Sequence, residues 1–196
     1  SQQSGSDPQQ GRQWYLQNTG QSRGTAGEDI RATQAWSNFP SRGAGTKVAV
    51  IDDGLEVVHD DLVSNVLSGG SYNYRKDAPY VGYPLPCSYT DTHGTSVAGV
   101  IAARDGNGIG GVGVAPRTSL VGFNAIATDE DADVLDALVR DAATVSVYNN
   151  SWGSRDDGML HPATAAYVST IANGVRYGRN GLGSIYVFAA GNGGRS

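Results

Sequence analysis

Two short segments of this 196-residue chain carry side chains suited to acid–base chemistry: Asp52-Asp53-Gly54 and His93-Gly94-Thr95. A carboxylate that orients an imidazole, and an imidazole that takes a proton from a hydroxyl, are two of the three parts of acyl-transfer catalysis. Taken singly, each has an ordinary structural explanation: an Asp at a strand end is often a turn former or helix cap, and a lone His is often a satisfied core residue. It is their conjunction that weakens that explanation. No convincing nucleophilic serine follows. Ser96 lies one helical turn beyond His93 and reads as a helix-packing residue, while Ser196 is only four residues past Asn192, too near to head a helix of its own.

The elements that must position these groups are short. Apolar, β-branched runs at 47–51, 120–123, 145–148 and 185–189 are bounded by Gly, Asn or Asp and read as buried parallel strands. Helix-forming segments fall between them at 95–103, 133–143 and 163–177, the second with Val134, Leu135, Leu138 and Val139 at helical spacing. Strand alternating with helix predicts a three-layer α/β domain, a mostly parallel central sheet flanked by helices. Such sheets place their chemistry beyond the carboxyl ends of the strands. Asp52 ends the first strand, Asn149 and Asn150 the third, and Gly191-Asn192 follow the fourth. Residues 1–12, polar and Gln/Ser-rich, read as an extended arm, and the Gly-, Tyr- and Pro-rich residues 68–90 as a surface excursion.

Composition narrows the partners. With 39% hydrophobic residues the chain can bury a sizeable core, and a net charge of -5 with scattered Lys and Arg gives no basic stripe for nucleic acid. No apolar run approaches the roughly 20 residues that span a bilayer, so no membrane partner is expected. The single cysteine, Cys87, is either a buried thiol or the partner of a cysteine elsewhere.

Several motifs in order carry a family resemblance. Val50-Ile51-Asp52-Asp53-Gly54, His59-Asp60-Asp61-Leu62, His93-Gly94-Thr95-Ser96-Val97-Ala98-Gly99, Asn150-Ser151-Trp152-Gly153 and Ala189-Ala190-Gly191-Asn192-Gly193 together resemble the subtilase serine peptidases. The Gln13-Trp14-Tyr15-Leu16 stretch, and Ser151-Trp152-Gly153 followed by Asp156-Asp157-Gly158, resemble the kexin and furin branch. The resemblance implies that Asp52 is the orienting acid, His93 the general base and Asn192 the side-chain donor of an oxyanion hole. It implies that Ser151, Trp152 and Gly153 form an edge along which an extended substrate pairs by its main chain. Asp53, Asp91 and Asp156 are then the acids that meet basic side chains of the substrate, while Asp157 reads as a solvated loop residue. Arg155 and His161 depart from an acid-rich cleft and bear on fine selectivity.

Gly106-Asn107-Gly108-Ile109-Gly110-Gly111 matches a dinucleotide fingerprint, but it follows a helix instead of a strand, which rejects that reading. The same resemblance makes it part of a calcium site built from Asp7, Asp61, the Asn107 side chain and the carbonyls of Arg104, Ile109 and Gly111. Such hard oxygen ligands suit calcium. The implied whole is a secreted, calcium-stabilised endopeptidase acting on polypeptides after basic residues, with a propeptide or inhibitor among its partners. Residues 1–196 are expected to be its N-terminal portion, inactive alone, with the nucleophile and the remainder of the peptidase domain after Ser196. The alternative is a non-catalytic pseudoprotease fragment acting as a binding module.

Overall fold

The sequence Lys-Val-Ala-Val-Ile-Asp is a run of β-branched and small apolar residues with a charge at either end, and it forms the central strand β1 (Lys47–Asp52), whose last five residues are all buried. The computed structural model describes residues 7–159 and 161–192. Around β1 lie β2 (Tyr72–Asn73), β3 (Ser119–Asn124), β4 (Val147–Asn150) and β5 (Ile185–Phe188) in the order β2-β3-β1-β4-β5. The pairs β1·β4, β2·β3 and β4·β5 run parallel, with Ile51 opposite Asn150 and Asn150 opposite Phe188. The helices are α1 (Ala32–Asn38), α2 (His93–Ala102), α3 (Asp131–Ala137) and α4 (Ala165–Gly181). This is the α/β architecture that the alternation of patterns predicts.

The chain divides into two compact units. The first comprises Ser1–Thr46, Val58–Val66 and Ala98–Ser119. Its core gathers Leu16, Ala32, Trp36 and Val112, with Ala32 and Trp36 on one face of α1 at the i, i+4 spacing. The Trp36 indole N–H donates to the Val114 carbonyl at 2.8 Å, and Gln13 clamps Val112 by donating to its carbonyl and accepting from its amide, both at 2.8 Å. Residues 8–12 form turns and a 3-10 helix at Gln10–Arg12, so this part of the arm is not extended; residues 1–6 lie outside the described ones. A short loop that returns to pack on its own domain satisfies its backbone locally, which an extended arm cannot do.

The second unit, Lys47–Val57, Leu67–Val97 and Leu120–Ser196, holds the sheet. Ala49, Ile51, Val121, Phe123 and Tyr148 from the strands pack with Ala137 and Leu138 at the end of α3 and with Val145, and Tyr167 of α4 lies against that core. α3 stops at Ala137, six residues short of the expected end. The strands explain this: Tyr186 and Tyr148 donate their hydroxyls to the carbonyls of Leu138 and Arg140, each at 2.7 Å, and Asp141 turns left-handed at φ 56°. Carbonyls claimed by tyrosines need no further helical turn. α4 starts on Thr164, whose hydroxyl accepts from the Tyr167 amide, and its regular part ends at Tyr177 as the sequence suggests, because Gly178 is extended and Arg179 and Asn180 are left-handed.

Candidate active site

Asp52 closes β1, with β4 on one side and β3 on the other. The chain leaves β1 toward one edge of the sheet and leaves β4 toward the other, so the crevice beyond these two strand ends is where an open α/β sheet binds ligands. Asp52 is buried, and its Oδ1 lies 2.8 Å from Nδ1 of His93, the first residue of α2. Its Oδ1 also accepts from the Asp53 amide at 2.8 Å, while Oδ2 has no hydrogen-bond partner among the described residues. Burial pushes the Asp52 carboxyl above its ordinary range, opposed by the His93 bond and the Asp53 amide. The His93 ring, 57% exposed, is raised above the ordinary imidazole value chiefly by its bond to Asp52. No side chain among the described residues is hydrogen bonded to its Nε2, which leaves that nitrogen free to handle a substrate-side proton.

What holds His93 in place is not visible in the sequence pattern. Asp53 Oδ1 accepts from the Gly94 amide at 2.8 Å, so an acid expected to face substrate anchors the first turn of α2. A Cβ at Gly94 would overlap the Gly54 carbonyl and crowd the Asp52 Cβ at 2.8 Å. Glycine at this position is what lets the helix start against the strand end. Thr95 adds a further tie, its hydroxyl oxygen accepting from the Glu56 amide at 3.0 Å. Ser96 does not pack as expected: it is exposed, and its hydroxyl donates back to the Thr92 carbonyl at 2.8 Å.

On the other flank, the chain after β4 runs on through Ser151, Trp152 and Gly153 without strand structure of its own. Trp152 ties it down, its indole N–H donating to the Ile51 carbonyl at 2.8 Å and its ring meeting Phe188 edge-on. Ser151 Oγ accepts from the Asn149 side chain at 2.9 Å, and a Cβ on Gly153 would meet nothing within 4 Å. Asp156 holds the Asn192 amide with both carboxylate oxygens at 3.2 Å. Asp157 pairs with His161 at 2.9 Å, which gives the loop acid and the unexpected histidine a common explanation. Asp91 accepts from the amides of Cys87 and Ser88 at 3.2 and 3.1 Å. Cys87 is exposed, so the buried-thiol reading is incorrect; the Gly- and Pro-rich turns around it leave no core to enter. Gly193–Ser196 lie outside the described residues.

The predicted metal ligands come together in the first unit. Asp7 and Asp61 are both 6% exposed; Asp7 accepts from the amides of Gly106 and Gly108, and Asp61 from the Gly111 amide and the Asn107 side chain. A Cβ at Gly110 would overlap Asp61 Oδ2, so the loop closes directly on the carboxylate. Among the described residues no N–H is bonded to the carbonyls of Arg104, Ile109 or Gly111. Among the described residues no group of three or more His, Cys, Asp or Glu could hold a metal. Two buried carboxylates with uncommitted carbonyls fit a hard, oxygen-preferring cation and not a transition metal.

An α/β sheet with a carboxylate–imidazole pair at its switch point defines a class, and the comparisons agree: the Subtilase family matches residues 43–196, and the chain belongs to that family. Within it the chain stands on the kexin-like side. Neuroendocrine convertase 2 of Caenorhabditis elegans is 39% identical over 197 residues, covering 96% of this chain and 29% of its own length. The Homo sapiens protein of that name is 37% identical over 195 residues, covering 96% and 30%. Among solved structures, the Aeromonas sobria serine protease in complex with the chaperone ORF2 superposes with a TM-score of 0.80 at 35% identity, over 96% of this chain and 32% of that one. The chain thus spans less than a third of the length of each of these relatives.

Proposed function

We propose that these residues form the acid–base portion of a secreted, calcium-stabilised serine endopeptidase that cleaves polypeptides after basic residues. The observation that carries the reading is the 2.8 Å pair of Asp52 and His93 at the carboxyl end of β1. Asp52 fixes the imidazole with Nδ1–H toward itself. His93 Nε2 then removes the proton from a serine hydroxyl as that oxygen attacks the scissile carbonyl, and returns it to the leaving amine. Asn192 donates to the oxyanion that forms. The nucleophile is proposed to lie in the part of the relatives' length that this chain does not span.

Ser151, Trp152 and Gly153 offer main-chain groups to an extended substrate, and Asp53, Asp91 and Asp156 attract its basic side chains by charge complementarity. Asp7, Asp61, Asn107 and the carbonyls of Arg104, Ile109 and Gly111 would hold calcium, which would tie the N-terminal arm to its unit. The Aeromonas sobria protease is seen with a chaperone; for this chain a propeptide or inhibitor seated on the site is the corresponding proposal.

The test is a longer polypeptide from the same gene, assayed on a peptide with paired basic residues. Asp52→Asn and His93→Ala are each expected to lower turnover by about 10⁴-fold. Undiminished cleavage in either variant overturns the role assignment. A longer polypeptide with no second Gly-Thr-Ser motif, beyond Gly94-Thr95-Ser96, and no cleavage leaves a non-catalytic binding module instead.

A further inference from the structure

One carboxylate in the second unit faces two claimants. Asp156 is expected to meet the basic side chain of a substrate, yet its two oxygens are both 3.2 Å from the Asn192 amide, 36 residues away. The residue between the β5 exit and Asn192 that allows this is Gly191. It sits at φ +83°, a left-handed conformation that L side chains rarely adopt, and a Cβ there would come within 2.9 Å of Asp156 Oδ1. The carboxylate therefore packs directly on the peptide that aims Asn192. On the other side of the same turn, Asp157 is paired with His161, so the two neighbouring acids point to different partners.

We propose that Asp156 is a positioning residue: its carboxylate fixes the Gly191–Asn192 backbone, and so sets the direction of the Asn192 side chain, independently of any charge it presents to substrate. The inference rests on the reading that Asn192 donates to the oxyanion. A carboxylate has about four lone-pair positions. Asp156 can keep the Asn192 amide while accepting from a guanidinium or ammonium, which makes the basic pocket and the oxyanion donor share one anchor. A substrate cation bound there pulls on a group already bonded to the catalytic loop, so a correct side chain and a correctly placed Asn192 are coupled through a single residue.

Two measurements test this. In the 196-residue chain, the Asn192 amide proton resonance and its hydrogen-exchange rate are followed by NMR in Asp156→Asn, with Asp157→Asn as the control. The expected result is an upfield shift and roughly tenfold faster exchange in Asp156→Asn only, since a charge-assisted bond is exchanged for a neutral one. An Asn192 amide indifferent to Asp156→Asn overturns the proposal.

In a polypeptide extended through the nucleophile, kcat and KM are then compared on two peptides, one with arginine and one with norleucine at the residue before the cleaved bond. A purely charge-reading Asp156 affects only the arginine substrate and mainly its KM. A positioning Asp156 also lowers kcat on norleucine, by about tenfold when replaced with Ala and less with Asn, which keeps one acceptor oxygen. Asn192→Ala separates the two ideas: if it slows both peptides while Asp156→Ala spares norleucine, the positioning role falls. If Asn192→Ala changes nothing, the oxyanion reading is what fails, and the NMR result decides the anchor by itself.

Discussion

At the residue scale, the central quantity is the proton on His93. Its bond to Asp52 raises the imidazole above its ordinary value, so the neutral form needed for general-base work is reached only at higher pH than in a free histidine. The His93 ring protons in an NMR titration are therefore expected to give a midpoint above about 6.5 and to move back toward that reference in Asp52→Ala. A group whose folded value is raised stabilises the fold below its unfolded value, and that contribution disappears as pH rises through the folded one. A midpoint at or below the reference in the native chain would contradict the 2.8 Å bond. Asp52 and His93 could be picked out from the sequence because each stands in a motif at the end of a predicted element. The second duties of Asp53 and Asp156 could not, since an acid 41 residues from Gly94 or 36 from Asn192 leaves no local pattern to read.

Elements matter here through where they begin and end. α2 starts with its first amides against the end of β1, and only the missing side chain at Gly94 lets it do so. Gly94→Ala is expected to destabilise the chain by about 3 kcal/mol, at the upper end of the usual cost of overpacking, because the obstruction is backbone and not a yielding side chain. The check is a urea midpoint with an unchanged slope, and a loss under 0.5 kcal/mol would show that the helix start can shift freely. Four of the five strands were legible in the sequence, β4 two residues early, because short β-branched runs bounded by Asn, Asp and Gly have few alternatives; β2 (Tyr72–Asn73) falls inside the expected surface excursion 68–90, because two residues are too few to show a strand pattern. The end of α3 was not legible. Val134, Leu135, Leu138 and Val139 continue the helical spacing, but the hydroxyls of Tyr148 and Tyr186 take the carbonyls of Arg140 and Leu138, and no helix pattern announces a competitor from a strand.

At the scale of the whole molecule, the two units make separate demands. In the first, Asp7 and Asp61 carry buried negative charge that is met, among the described residues, by the backbone amides of Gly106, Gly108 and Gly111 and by the Asn107 side chain, with no cation beside them. If calcium binds there, stability depends on its concentration by mass action. Chelation is then expected to lower Tm by about 5 °C or more relative to excess calcium, and Asp61→Ala should abolish that difference. A melting curve indifferent to both treatments counts against the site. In the second unit, the bond from the Trp152 indole to the Ile51 carbonyl has a spectroscopic consequence. Of the three tryptophans, Trp14 and Trp36 belong to the first unit. Trp152 is the sole one in the second, edge-on to Phe188 and one residue from Asp52 through its hydrogen bond. With Trp14 and Trp36 replaced by phenylalanine, the fluorescence of the chain becomes an optical gauge of the strand end that carries Asp52, readable without substrate, label or turnover.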